Sequence, residues 1–478
     1  MGYLLRRQFD LTTLVIGFEV VGRRSMVRCA LEQDRHGERS IAFEELFDPA
    51  DLGLPERLDQ SAILFQGHPF SMPATLLGRL REILDAHLLF GEALWLYLKR
   101  PIGYLAFAPW EQLLTPVLKR SVLRLPDFLV DPARAGGELT IVLCSSQPIS
   151  EEAFLANEYL ARITRIILDR ATRRTTVHLF TDAGLVDSLK VRLQEYDVAD
   201  SRVIVHDPQR AAPYAAPDRS SRISDRTGQL DSPWLLWMRD ALAGRSVDLV
   251  HFVAHGYLAG ESAALSVAES PLENYDIRLP RFIGVNEISA FLSQIGAWGC
   301  ALTSPLRNYS EMSHRLFATT LANIRPGPLL HHEMRLDPSL DALAEAYALL
   351  LTDAASAPVS EAILLYCHPS RIRPPAQEGS AAIGDAMAAS MINEVDETNR
   401  FVDELYIAED VAPGWVSAAM RYIDQRTLEA AQQDVLPGQA ISTSRMSSFD
   451  QSATLREIQR IVEDEARAEH SVRKGGAS

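Results

Sequence analysis

Val247-Asp248-Leu249-Val250-His251-Phe252-Val253-Ala254-His255-Gly256-Tyr257 is an apolar run that stops at His-Gly. Val247, Leu249, Val250, Phe252 and Val253 supply β-branched and aromatic side chains over the usual length of one strand, which predicts a buried strand. In an α/β sheet, ligands and chemistry gather just outside the carboxyl ends of the strands. His255 stands at such an end, and Gly256 allows a sharp turn there. An imidazole so placed is a candidate general base.

Working outward, strand and helix patterns alternate on both sides of this run. Upstream, Ala93–Leu98, Ser121–Leu125, Leu139–Cys144, Thr176–Phe180 and Arg202–Val205 read as strands. Helices are expected from Pro73, at 151–170, 183–195 and 233–243. Downstream, Trp298–Leu302, Pro328–His331 and Ala362–Cys367 read as strands, with helices at 288–295, at 311–323 and from Asp337-Pro338. Strands separated by helices imply a mainly parallel sheet with right-handed crossovers. Residues 207–231 are polar and read as a linker or long surface loop.

The expected fold class is therefore α/β, in three parts. Residues 1–72 form an N-terminal β-rich extension, with two strands flanking Gly22-Arg23-Arg24 and a polar stretch behind them. Residues 73–374 form the sheet domain. Residues 375–478 form a helical, acidic tail; its segment 381–450 carries twelve acidic and four basic residues.

Composition excludes several classes. At 478 residues with 47% hydrophobic content, the chain has enough apolar material for a sizeable core. No apolar run is long enough to span a bilayer, and the start Met1-Gly2-Tyr3-Leu4-Leu5-Arg6-Arg7 lacks signal-peptide order. A cytoplasmic protein without a membrane partner is expected. The net charge of −16 argues against nucleic acid as the main partner. The four cysteines, Cys29, Cys144, Cys300 and Cys367, form no CxxC and read as reduced, buried thiols.

Phosphate loops, dinucleotide fingerprints, nucleophile elbows and zinc-protease helices are absent from the sequence. His331-His332-Glu333 looks like a metal cluster, but adjacent strand residues point to opposite faces. No cofactor and no metal are expected. His251 reads as a buried structural histidine. The remaining chemistry is His255 and whatever lies on the following strand, Gly299-Cys300-Ala301-Leu302-Thr303-Ser304-Pro305. A thiol beside an imidazole is a plausible nucleophile–base pair.

Three stretches resemble the CHAT family, caspase-like bacterial domains built on the clan CD cysteine-peptidase sheet. They are Leu94-Trp95-Leu96 with Ala106-Phe107-Ala108-Pro109-Trp110-Glu111, then Leu139-Thr140-Ile141-Val142-Leu143-Cys144, and the His255-Gly256 strand itself. The match covers roughly residues 75–370. The resemblance implies a His/Cys dyad at the ends of neighbouring strands. His255 carries over as the base. The nucleophile position falls on Thr303, Ser304 or Pro305, with Ser304 aligned to it, and Cys300 lies about four residues earlier. The implied function is a degenerate, partner-binding adaptor or regulator in a bacterial defence or signalling system. Its protein partner would be encoded in the same operon, and the acidic tail would dock it. The alternatives are an active cysteine endopeptidase using His255 and Cys300, and a small-ligand sensor at the strand-end crevice.

Overall fold

A computed structural model describes residues 6, 9–22, 24–35, 38–54, 70–88, 92–126, 137–148, 155–198, 201–214, 229–242, 244–259, 262–272, 279–305, 308–352 and 356–372. The tail assigned to 375–478 lies outside these residues. The chain divides into two compact units, and the elements below belong to the one made of Met1–Val21 and Ser25–Glu394, apart from the turn at Gly22–Arg24.

In chain order the strands and helices begin with β1 (Thr12–Val21), β2 (Arg24–Arg35), β3 (Glu38–Phe47), α1 (Ala74–His87), β4 (Leu94–Leu98), α2 (Trp110–Leu118) and β5 (Val122–Arg124). Then come β6 (Glu138–Ser145), α3 (Ala156–Arg170), β7 (Arg174–Phe180), α4 (Val186–Glu195), β8 (Val203–Val205), α5 (Pro233–Leu242) and β9 (Leu249–Val253). The remainder is β10 (His255–Ala259), β11 (Ser262–Ala268), β12 (Pro280–Gly284), α6 (Val285–Gln294), β13 (Gly299–Ser304), α7 (Asn308–Ile324), β14 (Leu329–Glu333), α8 (Asp341–Leu351) and β15 (Ile363–Tyr366).

Twelve strands form one sheet in the order β3-β2-β1-β4-β5-β15-β14-β13-β9-β6-β7-β8, and β10-β11-β12 form a small sheet of their own. From β14 through β13, β9, β6 and β7 to β8 every pairing is parallel. The central strands β9, β13 and β14 are buried on both faces, and they combine apolar residues with enclosed polar ones such as His251, Thr303 and His332. One face packs Ile141 and Leu143 of β6 and Leu249 and Val253 of β9 into a common core with Leu160 and Ile163 of α3 and Leu343 and Leu350 of α8. On the other face α7 packs on β13 and β14, and Phe252 meets Phe291 of α6 with ring centroids 6.4 Å apart.

Two features, β3 and the direction of β15, depart from the sequence expectations, and the pairing of β1 shows how the N-terminal extension joins the sheet. Residues 38–47 are a strand, although the stretch reads as polar; as the edge of the sheet, β3 needs to bury only part of its surface. β1 pairs in parallel with β4, so the N-terminal strands extend the main sheet. β15 runs antiparallel to β14, not parallel, so the chain re-enters the sheet from its opposite end. A smaller difference concerns α8. Asp337 accepts from the N–H groups of Asp341 and Leu343, both at 3.0 Å, but Leu340 has φ 67 and delays the helix to Asp341.

Candidate strand-end site

The register of β9 and β13 decides what meets at their carboxyl ends. Thr303 is level with Val253, and Cys300 is level with Val250. Ser304 therefore follows at the same end as His255, which opens β10 just beyond Ala254. Cys300 stands three residues back from Thr303, roughly 10 Å along the strand. The expected meeting of His255 with Cys300 is thus not made. A parallel register fixes Cys300 near the start of its strand, where burial pushes the thiol up to about 12, against a small opposing effect of Arg325. Cys29, Cys144 and Cys367, the other cysteines of the chain, are buried as well.

His255 and Ser304 are each only 1% exposed. The small sheet and α7 close over them. Ser313 of α7 donates its hydroxyl to the Tyr257 carbonyl at 2.7 Å and lies 3.3 Å from the Ala264 carbonyl, which fastens the helix to β10 and β11. The next residue, His314, turns inward. Its ring lies 5.4 Å from that of His331, and neither of its nitrogens has a hydrogen-bond partner. Burial, reinforced by His255 and Arg315, lowers its pKa to about 3. The Ser304 hydroxyl is likewise without a partner.

Beside Ser304, its register partner on β14 is Glu333. Arg315 of α7 pairs with the Glu333 carboxyl group, and Gln112 of α2 donates to it at 2.7 Å. Burial raises Glu333 to about 8, with Arg315 opposing and Glu311 assisting the rise. The strand ends therefore gather the buried imidazole of His255, the unpartnered hydroxyl of Ser304, the buried imidazole of His314 and the Arg315-paired carboxyl group of Glu333. Sequence reasoning missed His314, because a helical pattern does not say which neighbour a residue faces. Glu333 was visible only as part of His331-His332-Glu333. Among the described residues no group of three His, Cys, Asp or Glu side chains is arranged to hold a metal ion.

The opposite face of the same strands carries a buried polar row. His251 Nδ1 lies 2.5 Å from the Tyr347 hydroxyl and its Nε2 lies 2.7 Å from Thr303 Oγ1. Thr303 Oγ1 is 3.2 Å from His332 Nδ1, and His332 Nε2 is 3.2 Å from the Asp337 carboxylate. One direction of donation runs through the row: Tyr347 donates to His251, His251 to Thr303 and Thr303 to His332, while His332 Nε2 lies beside Asp337 without an aligned hydrogen bond. Hydroxyl, imidazole and carboxylate follow one another as in a catalytic triad. Thr303 and His332 are fully enclosed, with Tyr347 of α8 over the row, so no substrate reaches them. The row specifies structure. Thr303→Val, which keeps the shape and strands both imidazoles, is expected to cost about 2–4 kcal/mol. Urea unfolding measures it, and a Val variant as stable as wild type would remove the role.

No family model, curated protein or solved structure matches the chain.

Proposed function

We propose that this is a caspase-like protein of the CHAT type whose strand-end site lacks thiol chemistry, and that it acts by binding a protein partner in a bacterial defence or signalling system. One observation carries the reading. The neighbouring ends of β9 and β13 present His255 and Ser304, while every cysteine is buried. Cysteine attack requires a thiolate beside its base, and Cys300 has neither the place nor the ionisation. Ser304 has no hydrogen bond to a base, and Glu333 is engaged by Arg315 and Gln112. A serine triad is therefore not assembled either. The strand order β7-β6-β9-β13-β14-β15, with β9 and β13 as parallel neighbours, supports the caspase-like reading. Nothing in the geometry favours the endopeptidase alternative built on His255 and Cys300.

The deciding experiment is thiol labelling. The folded chain is treated with iodoacetamide and with a peptidyl electrophile, and the adducts are located by mass spectrometry. The expected result is no adduct at Cys300 until urea is added. Rapid, stoichiometric labelling of Cys300 in the folded chain restores the peptidase reading. For the partner, the chain is co-expressed with the products of neighbouring genes. One of them is expected to co-purify with the full chain and to be lost when residues 376–478 are deleted; retention after deletion rejects the tail as the docking segment.

A further inference from the structure

Two imidazoles touch at the β7–β8 edge of the sheet. His178 Nδ1 and His206 Nε2 are 2.8 Å apart, and the rings stack with centroids 5.1 Å apart at 18°. The His206 ring also lies on Phe180, at 4.3 Å and 5°. Trp237 of α5 meets Phe180 edge-on at 4.9 Å. The strand they hold is short. β8 has three residues, all half-buried, and ends the sheet. Its ladder runs only from Val203 to Val205 against Val177 to Leu179, extended by the His206 N–H donating to the Leu179 carbonyl at 3.0 Å. The Val177 N–H also donates to the Arg202 carbonyl at 2.8 Å, and Tyr214 bonds Asp240 of α5, so the ring contact is one of a few fastenings of this edge.

The contact has a strict proton count. One ring donates an N–H and the other accepts it, so two protonated rings would point donors at each other. The charged groups around the pair do not relieve this. Arg245 acts on both rings and Arg210 on His206, each against a cation. Asp207 accepts from the Gln209 N–H. On α5, Asp240 is held by Tyr214 and Arg239. Arg174 of β7 pairs with Glu138 of β6. Cys144 of β6, level with Phe180, is a thiol that burial keeps protonated.

We propose that the His178–His206 contact is an acid-released latch: protonation of both rings frees β8 and the turn Pro208–Tyr214 from the sheet edge and uncovers Phe180 and Trp237. Burial already lowers both imidazoles to about 4, whereas a histidine released into water titrates near 6.5. Opening then gains about tenfold per pH unit for each ring between those limits. From pH 7.5 to pH 5 the pair raises the opening equilibrium on the order of 10²–10³-fold.

The test is hydrogen exchange of the full chain, read by mass spectrometry from pH 7.5 to 5 with intrinsic rates corrected. Protection across 201–214 is expected to fall on the order of 10²–10³-fold between pH 7.5 and 5, through an opening that leaves β9 and β13 the better protected throughout. His206→Phe keeps the ring on Phe180 and removes one proton site, so the pH slope across 201–214 should drop from two protons to one. His178→Gln provides the same reading if the first variant folds poorly. Loss of protection in 201–214 in step with β9 and β13 overturns the latch, and so does an unchanged pH slope in both variants. None of these outcomes depends on the role of the strand-end site.

Discussion

Glu111→Ala is expected to cost about 3–5 kcal/mol of stability, the loss typical when one partner of a buried ion pair is removed. Arg124 is fully enclosed. Its Nε donates to one Glu111 oxygen at 2.7 Å and its Nη2 to the other at 3.0 Å. The same guanidinium reaches Thr319 of α7 at 3.2 Å and the Tyr366 hydroxyl of β15 at 3.4 Å. Burial by itself would lower the Arg124 pKa, but Glu111, then Tyr366, lifts it above the ordinary arginine value. Removing Glu111 leaves that cation inside the protein with only neutral partners. The double change Glu111→Ala with Arg124→Met should recover much of the loss, because no charge is then left unpaired. Urea denaturation of the single and double variants measures both effects. A single-variant loss under about 1 kcal/mol contradicts the assignment. The pair also gives the Trp110-Glu111 dipeptide its physical meaning. Trp110 donates its indole N–H to the Leu105 carbonyl at 2.9 Å, while Glu111 ties α2 to β5, and through Arg124 to α7 and β15.

The second large effect is on acid stability. His251 and His314 are lowered to about 3, and His331 well below its ordinary value, in each case chiefly by burial. An unfolded histidine takes up its proton near 6.5. Below that pH the unfolded chain binds protons that the folded chain refuses, so stability falls as pH falls. Glu333 acts in the opposite sense. Burial raises its pKa, with Arg315 opposing, so a proton it retains in the fold offsets part of that loss above the ordinary carboxylate range. Three enclosed histidines offset by one glutamate leave a net slope of up to about 3 kcal/mol per pH unit below pH 6.5. His178 and His206, both lowered to about 4 chiefly by burial, push the same way. Asp337, held at about 2 by hydrogen bonds that outweigh its burial, adds a further loss only below the usual aspartate range. The urea midpoint is therefore expected to be highest between pH 6 and 7.5 and to drop steeply by pH 5. A midpoint that stays level from pH 7 to 5 would show that these imidazoles are charged in the fold.

Much of the architecture was legible in the sequence because the central strands are buried on both faces. Short apolar and β-branched stretches such as Leu249–Val253, interrupted only by His251, point to strands. The strand-end place of His255 was legible for the same reason, since a buried run must stop where its polar residue turns. The split of His331 and His332 to opposite faces followed from strand alternation: His331 faces His314, and His332 faces Thr303. The edge strand β3 was less legible because a partly exposed strand carries a mixed pattern, and β11 because, though buried, it is built largely of small Ala and Ser residues with weak strand preference.

By itself the sequence determined the mainly parallel α/β core and the imidazole just beyond the end of β9. Local periodicity and residue identity suffice for those, since burial of both faces of a strand is written along the strand. Only the tertiary structure decided the company His255 keeps. The register of β9 with β13 set Cys300 away from the strand end and Ser304 at it. The packing of α7 brought His314 under the small sheet and Arg315 to Glu333. Those relations join residues far apart in the chain through register and helix rotation, neither of which a single segment encodes. The direction of β15 belongs with them, because it depends on where the chain re-enters the sheet and not on what β15 is made of.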